Sequence, residues 1–138
     1  KPQTSMVGVK EKNKLIVFSD SSRSLKKDYS LKNYSLLNRI KEIEFKPLKN
    51  NFIINEKRLL RIDSTGVYLK NTQSDLVLLT NSPDIHLEKL LQKLKPKLII
   101  VDGSNYKSYV ERWIKTAKNI EIQSHNTYEK GYLSFNLY

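Results

Sequence analysis

Cysteine is absent from the 138 residues. Its absence excludes disulfides, cysteine-ligated metals and cysteine nucleophiles together, and it leaves the redox compartment open. Histidine is nearly as scarce. His86 and His125 are the only two, so a histidine-rich metal centre is excluded as well. No apolar run approaches the ~20 residues that span a bilayer. The opening KPQTSMVGVK lacks the apolar core of a signal peptide, and position 1 is not methionine. The expectation is one soluble domain, residues 1–138, excised from a larger protein.

Acidic residues are also few, 14 against 25 lysines and arginines, for a net charge of +11. The excess is uneven, with nine of the eleven surplus charges in the first 61 residues. Such an imbalance favours a polyanionic neighbour, either nucleic acid or an anionic membrane surface, although lysine also serves plain solubility. The candidates for phosphate contact are Lys26, Lys27, Lys32, Arg39, Lys41, Lys57, Arg58 and Arg61. Eight tyrosines accompany them. Tyr29, Tyr34, Tyr68, Tyr106, Tyr109 and Tyr128 lie among lysines and suit base stacking on single-stranded DNA. Tyr106 and Tyr109 share an apolar helix face, however, which assigns them to the core.

Along the chain, LIVFSDSS (15–22) reads as a buried strand and a turn, whereas RSLKKDYSLKNYS (23–35) is too irregular to define an element. NFIIN-EKRLLRIDSTGVYLKN reads as two or three short strands with a turn at Asn55-Glu56-Lys57. DLVLLT (75–80) is a strand. Ser82 then caps a helix with Pro83 at its first position, and Ile85, Leu87, Leu90, Leu91 and Leu94 form that helix's apolar face until Pro96 stops it. KLIIVDG (97–103) is a second buried strand. Tyr106, Tyr109, Val110, Trp113, Ile114 and Ala117 follow helical spacing, with Ser104 or Asn105 as the cap. NIEIQS (119–124) and YLSFNLY (132–138) complete a β-α-β-α-β-loop-β order, which implies a layered α/β sheet with helices packed on it.

Asp102-Gly103-Ser104-Asn105, between strand and helix, is the most prominent candidate for chemistry. A helix N-terminus after glycine can bind an anion, but a phosphate loop needs more glycines and a following Lys-Ser/Thr. A strand-to-helix corner is the simpler reading. Asp20, Asp63 and Asp102 each follow an apolar strand, where paired carboxylates would hold a divalent metal such as Mg²⁺. Asp equally suits turns. Neither histidine belongs to a ligand motif, and Ser104 has no G-x-S-x-G setting.

From LKPKLIIVDGSNYKSYVERW through TYEKGYLSFNL, the chain resembles the C-terminal soluble domain of ComEC-type DNA-uptake channel proteins. The pattern that carries the likeness is Asp102-Gly103-Ser104-Asn105, Trp113, Thr127 and Lys130-Gly131. KRLLRIDSTGVY and LIVFSDSS are compatible with it. The resemblance implies an αββα-type layered sandwich related to the metallo-β-lactamase fold, with Asp63 at the position of a metal-bridging aspartate. H-x-H-x-D-H is missing, however, and Asn81-Ser82 stands where histidine is expected. The implied domain is therefore a degenerate one, without metal, cofactor or small-molecule substrate. It would contact single- or double-stranded DNA, or brace the membrane-embedded channel part of the same chain, on the periplasmic side of the bacterial inner membrane. The alternative is a phosphodiesterase built on Asp20, Asp63 and Asp102.

Overall fold

The structure, a computed structural model, describes residues 6–19, 36, 39–54, 56–68 and 73–127. It is mixed α/β, with two sheets and two helices among the described residues. The chain divides into two compact units, Thr4–Lys49 and Asn50–Tyr138 with Lys1–Gln3. The expected strand YLSFNLY lies outside the described residues, as do Lys26, Lys27, Lys32 and Asp20.

The first unit is a three-stranded sheet of β1 (Met6–Glu11), β2 (Lys14–Ser19) and β3 (Glu42–Pro47). β2 lies in the middle, antiparallel to β1 and parallel to β3. Alternate residues of β2 are buried, as a half-covered strand requires, and Leu15 and Val17 form a small core with Ile40 and Phe45. On the opposite face, the Lys14 Nζ lies 2.9 Å from Glu44 Oε2, with Lys46 at 3.7 Å. The Lys14 hydrogen bond and the two positive charges hold the Glu44 carboxyl below its ordinary value. Such exposed pairs contribute little to stability.

The second unit holds a five-stranded sheet, β4 (Asn51–Ile54), β5 (Lys57–Ile62), β6 (Leu76–Leu79), β7 (Leu98–Val101) and β8 (Gln123–Asn126), in that spatial order. β4 pairs antiparallel with β5; β5 to β8 are parallel. Parallel strands need crossovers, and these are α1 (Leu87–Leu94) between β6 and β7 and α2 (Lys107–Asn119) between β7 and β8. Leu60, Ile62, Val77, Leu79, Ile99 and Val101 pack against Leu87, Leu90, Leu91 and Leu94 of α1 and Val110, Trp113 and Ala117 of α2. Each helix leucine so buried contributes about 1.5–3 kcal/mol. Leu59, Leu76, Leu78 and Ile100, of opposite parity, are buried too. Burial on both faces explains why LVLL and LIIV are unbroken apolar runs and do not alternate.

Two boundaries and one burial differ from the sequence expectation. Helix α1 begins at Leu87, capped by His86, whose Nδ1 accepts from the Lys89 N–H. Ser82 is not its cap, because its Oγ is turned toward Tyr106 and accepts that residue's N–H at 2.7 Å. The strand expected at 119–124 starts only at Gln123, since α2 runs to Asn119 and closes in a Schellman turn. There the Ile122 N–H donates to Ala117 O and the Glu121 N–H to Lys118 O. Tyr106, expected in the core, is 59% exposed. It lies edge-on to Tyr109, which in turn meets Trp113 edge-on.

The Schellman turn puts Glu121 at φ 58°, a left-handed position that costs a side-chain-bearing residue about 1–2 kcal/mol. Glu121→Gly removes that cost, offset in part by the freer unfolded chain. The expected outcome is a net gain of about 0.5–1 kcal/mol in urea unfolding. A decrease would show that the glutamate side chain makes a stabilising interaction of its own.

Candidate functional site

β5, β6 and β7 end together, so Asp63, Thr80 and Asp102 occupy one row just beyond the register Ile62↔Leu79↔Val101. Neighbouring parallel strands lie ~4.8 Å apart, which puts the backbones of Asp63 and Asp102 on the order of 10 Å from each other with Thr80 between them. This end of an open parallel sheet is where ligands commonly bind. The two carboxylates are nonetheless each committed to their own turn. Asp63 Oδ1 accepts from both the N–H and the hydroxyl of Thr65. Asp102 Oδ1 accepts from both the N–H and the hydroxyl of Ser104. One device, Asp-x-Ser/Thr, thus closes both strand ends. The same spacing recurs at Asp20 and Ser22 in the sequence.

The Thr65 hydroxyl, more than any other group, holds the Asp63 carboxyl below its ordinary value, helped by the positive charge of Arg61 and opposed by partial burial. A lowered carboxyl stabilises the fold above the unfolded-state value of about 3.9. That contribution is lost as pH falls through the lower folded-state value.

The rest of the Asp-Gly-Ser-Asn corner ties two loops together. The Asn81 N–H donates to Ser104 Oγ at 2.9 Å, and the Ser82 N–H to Asn105 Oδ1 at 2.8 Å. Asn105 Nδ2 donates in turn to Leu79 O at 2.7 Å, in a fully buried bond. Asn81 and Ser82 have φ of 58° and 52°. Two consecutive non-glycine residues in the left-handed region are unfavourable alone, and the two side-chain acceptors hold them there. The Ser82 hydroxyl completes the exchange by accepting the Tyr106 N–H at the start of α2. Neither Ser104 nor Asn105 caps α2 itself, since Tyr106 is the cap residue and has no side-chain cap bond.

The predicted phosphate contacts fall into separate groups. Arg39 and Lys41 are exposed in the first unit, and Lys57 and Arg58 are exposed where β5 begins in the second. Arg61 is 5% exposed, and its Nε donates to Thr80 Oγ1 at 2.9 Å. Its place is inside the second unit, beneath the strand ends, and it is removed from the set of surface contacts. The even parity that buries Leu60 and Ile62 puts Arg61 on the other face of β5, which is also covered; the alternation was legible, the second covered face was not. His86 caps α1 and His125 lies in β8. Among the described residues no group of three or more His, Asp or Glu side chains converges as a metal site.

A family model described as the ComEC C-terminal domain matches residues 1–137. The chain belongs to that family. Membership ties it to DNA uptake in competence and to the same polypeptide as a membrane channel part. No helix among the described residues is long and apolar enough to cross a membrane. No curated protein and no solved structure matches the chain.

In this ComEC C-terminal domain, Asn105→Ala removes the partners of Ser82 N–H and of the buried Leu79 carbonyl. Each unpaired buried group costs about 1–3 kcal/mol, so the expected destabilisation in urea unfolding is about 2 kcal/mol or more. Asp102→Asn keeps the acceptor for Ser104 and is expected to cost less. Equal effects of the two changes would contradict the assignment of the bridge to Asn105.

Proposed function

We propose that this ComEC C-terminal domain is a non-catalytic part of the DNA-uptake channel that contacts incoming DNA at the periplasmic side of the inner membrane. Its fold is read as a layered αββα-type sandwich derived from the metallo-β-lactamase architecture, with the metal chemistry lost. One observation carries the non-catalytic reading. The polar groups at the strand ends, where a hydrolytic centre would stand, are turned into their own loops. Asp63 serves Thr65, Asp102 serves Ser104, and Asn105 serves Leu79 and Ser82. The net charge of +11 supports the DNA-contacting part. Lys26, Lys27, Lys32, Arg39, Lys41, Lys57 and Arg58 remain its proposed contacts.

The competing reading is a metal-dependent phosphodiesterase using Asp20, Asp63 and Asp102. It draws on Asp63 and Asp102 sharing one edge and one row of the sheet. Titration of labelled single- and double-stranded DNA with and without Mn²⁺ separates the two. The expected outcome is salt-sensitive binding with intact oligonucleotide. Replacing Lys26, Lys27 and Lys32 by Glu should weaken binding and flatten its salt dependence by roughly one unit of slope for each phosphate no longer neutralised. Metal-dependent cleavage that disappears in Asp63→Asn or Asp102→Asn would overturn the non-catalytic reading.

A further inference from the structure

The second unit is electrically polarised along its strands. Because β5 to β8 are parallel and both helices are crossovers, every one of those strand starts and both helix ends come to one rim, opposite the Asp-Gly-Ser-Asn corner. Among the described residues, Asp63, Asp84, Glu88 and Asp102 stand at the corner rim with Lys89, Lys107 and, buried beneath the strand ends, Arg61. At the starting rim stand Lys57, Arg58, Lys93, Lys95, Lys97 and Lys118, all exposed. The acids among them are Glu56, Asp75 and Glu121, and Asp75 Oδ2 already accepts the Arg58 N–H at 2.9 Å.

The centre of this rim is held in register by the backbone. The Asp75 N–H donates to Arg58 O and the Lys97 N–H to Asp75 O, both at 2.9 Å. Arg58, Asp75 and Lys97 therefore form one row across three strands, two residues before the core row Leu60, Val77 and Ile99. Arg58 and Lys97 start ~10 Å apart at the backbone. Lys95, at φ 45°, ends α1 with its N–H on Leu91 O. Buried Pro96 then fixes the link to Lys97. Lys95 and Lys97 are thus carried on a stiff, anchored segment, which lowers the ordering cost of binding.

Lys93 and Lys118 lie in the last turns of their helices, where the helix dipole alone favours a cation. That explanation does not extend to Arg58 and Lys97, which are strand-edge residues. Exposed Tyr106, another residue suited to nucleic acid, stands at the opposite rim, where the charges of Asp102, Lys107 and Arg112 are mixed.

We propose that the rim of Arg58, Lys95 and Lys97, flanked by Lys57, Lys93 and Lys118, is the surface on which the second unit receives the DNA phosphate backbone. This deepens the DNA-contacting reading above and rests on it. It joins Lys57 and Arg58, already proposed as contacts, to Lys93, Lys95, Lys97 and Lys118, which the charge distribution along the sequence does not disclose.

The test is fluorescence anisotropy on the whole chain, with a labelled duplex of about 30 base pairs and a single strand of equal length, between about 50 and 200 mM salt. Lys95→Gln/Lys97→Gln is compared with Lys89→Gln/Lys107→Gln, which removes the same charge at the other rim. Both pairs are surface changes, checked for folding by thermal unfolding. The expected result is a salt slope lower by about two units for the first pair, at roughly one per lysine contact, and little change for the second. The rim is overturned if the parent binds DNA and the two pairs behave alike. It is overturned also if the first pair alters binding only to phosphatidylglycerol vesicles. A parent that binds no DNA would overturn the functional reading as well, and that outcome is distinct from failure of the rim alone.

Discussion

The side chain of Asn105 is the constraint on which the end of the sheet formed by the close of β5, β6 and β7 depends. Its amide N–H₂ holds the carbonyl that ends β6, and its amide oxygen holds the N–H of Ser82 in the loop that follows. Through that bridge, with Ser104 on Asn81, the loop after β6 keeps two left-handed residues that would otherwise relax. Ser82 is thereby placed to serve the N-terminus of α2. Removing the amide would release the β6 loop and, through Ser82, the start of α2.

The corner's hydrogen bonds run within and between its own loops, which is the basis of the proposed non-catalytic reading, and the charges of the second unit are sorted by the same architecture. Carboxylates collect where they close turns or face helix N-termini, as Asp63, Asp102 and Glu88 do. Cations collect where strands begin and helices end. The same parallel order that creates the core therefore creates one acidic and one basic rim. In the proposed reading, a polyanion meeting this unit would be steered toward the basic rim by the field of the whole rather than by any single lysine.

Much of this was legible in the sequence. Apolar runs at 76–79 and 98–101 marked the central strands, the leucine spacing of 87–94 marked α1, and the order of motifs pointed to the family. What was hidden depended on tertiary partners. Ser82-Pro83 has the form of a helix start, yet Ser82 is claimed by a helix 24 residues later. Ser104 and Asn105 look like caps, yet they face backward onto the preceding loop. Arg61 counts as one more surface charge until both faces of β5 prove covered. Lys95 and Lys97, in a half of the chain with little net charge, become a basic edge only when the parallel register sets them beside Arg58. Periodicity reports which face is apolar; it does not report which loop reaches across to which.

Native-state amide hydrogen exchange at Asn81 and Ser82 tests the central claim most directly. Both residues lie outside any helix or strand, and Asn81 is exposed, so ordinary loop amides there would exchange fast. The expected result is protection comparable to the ends of β6 and β7, because both N–H groups are held by side chains buried in the corner. Exchange at loop rates would contradict it, and the Asp-Gly-Ser-Asn residues would then be free to bind something else.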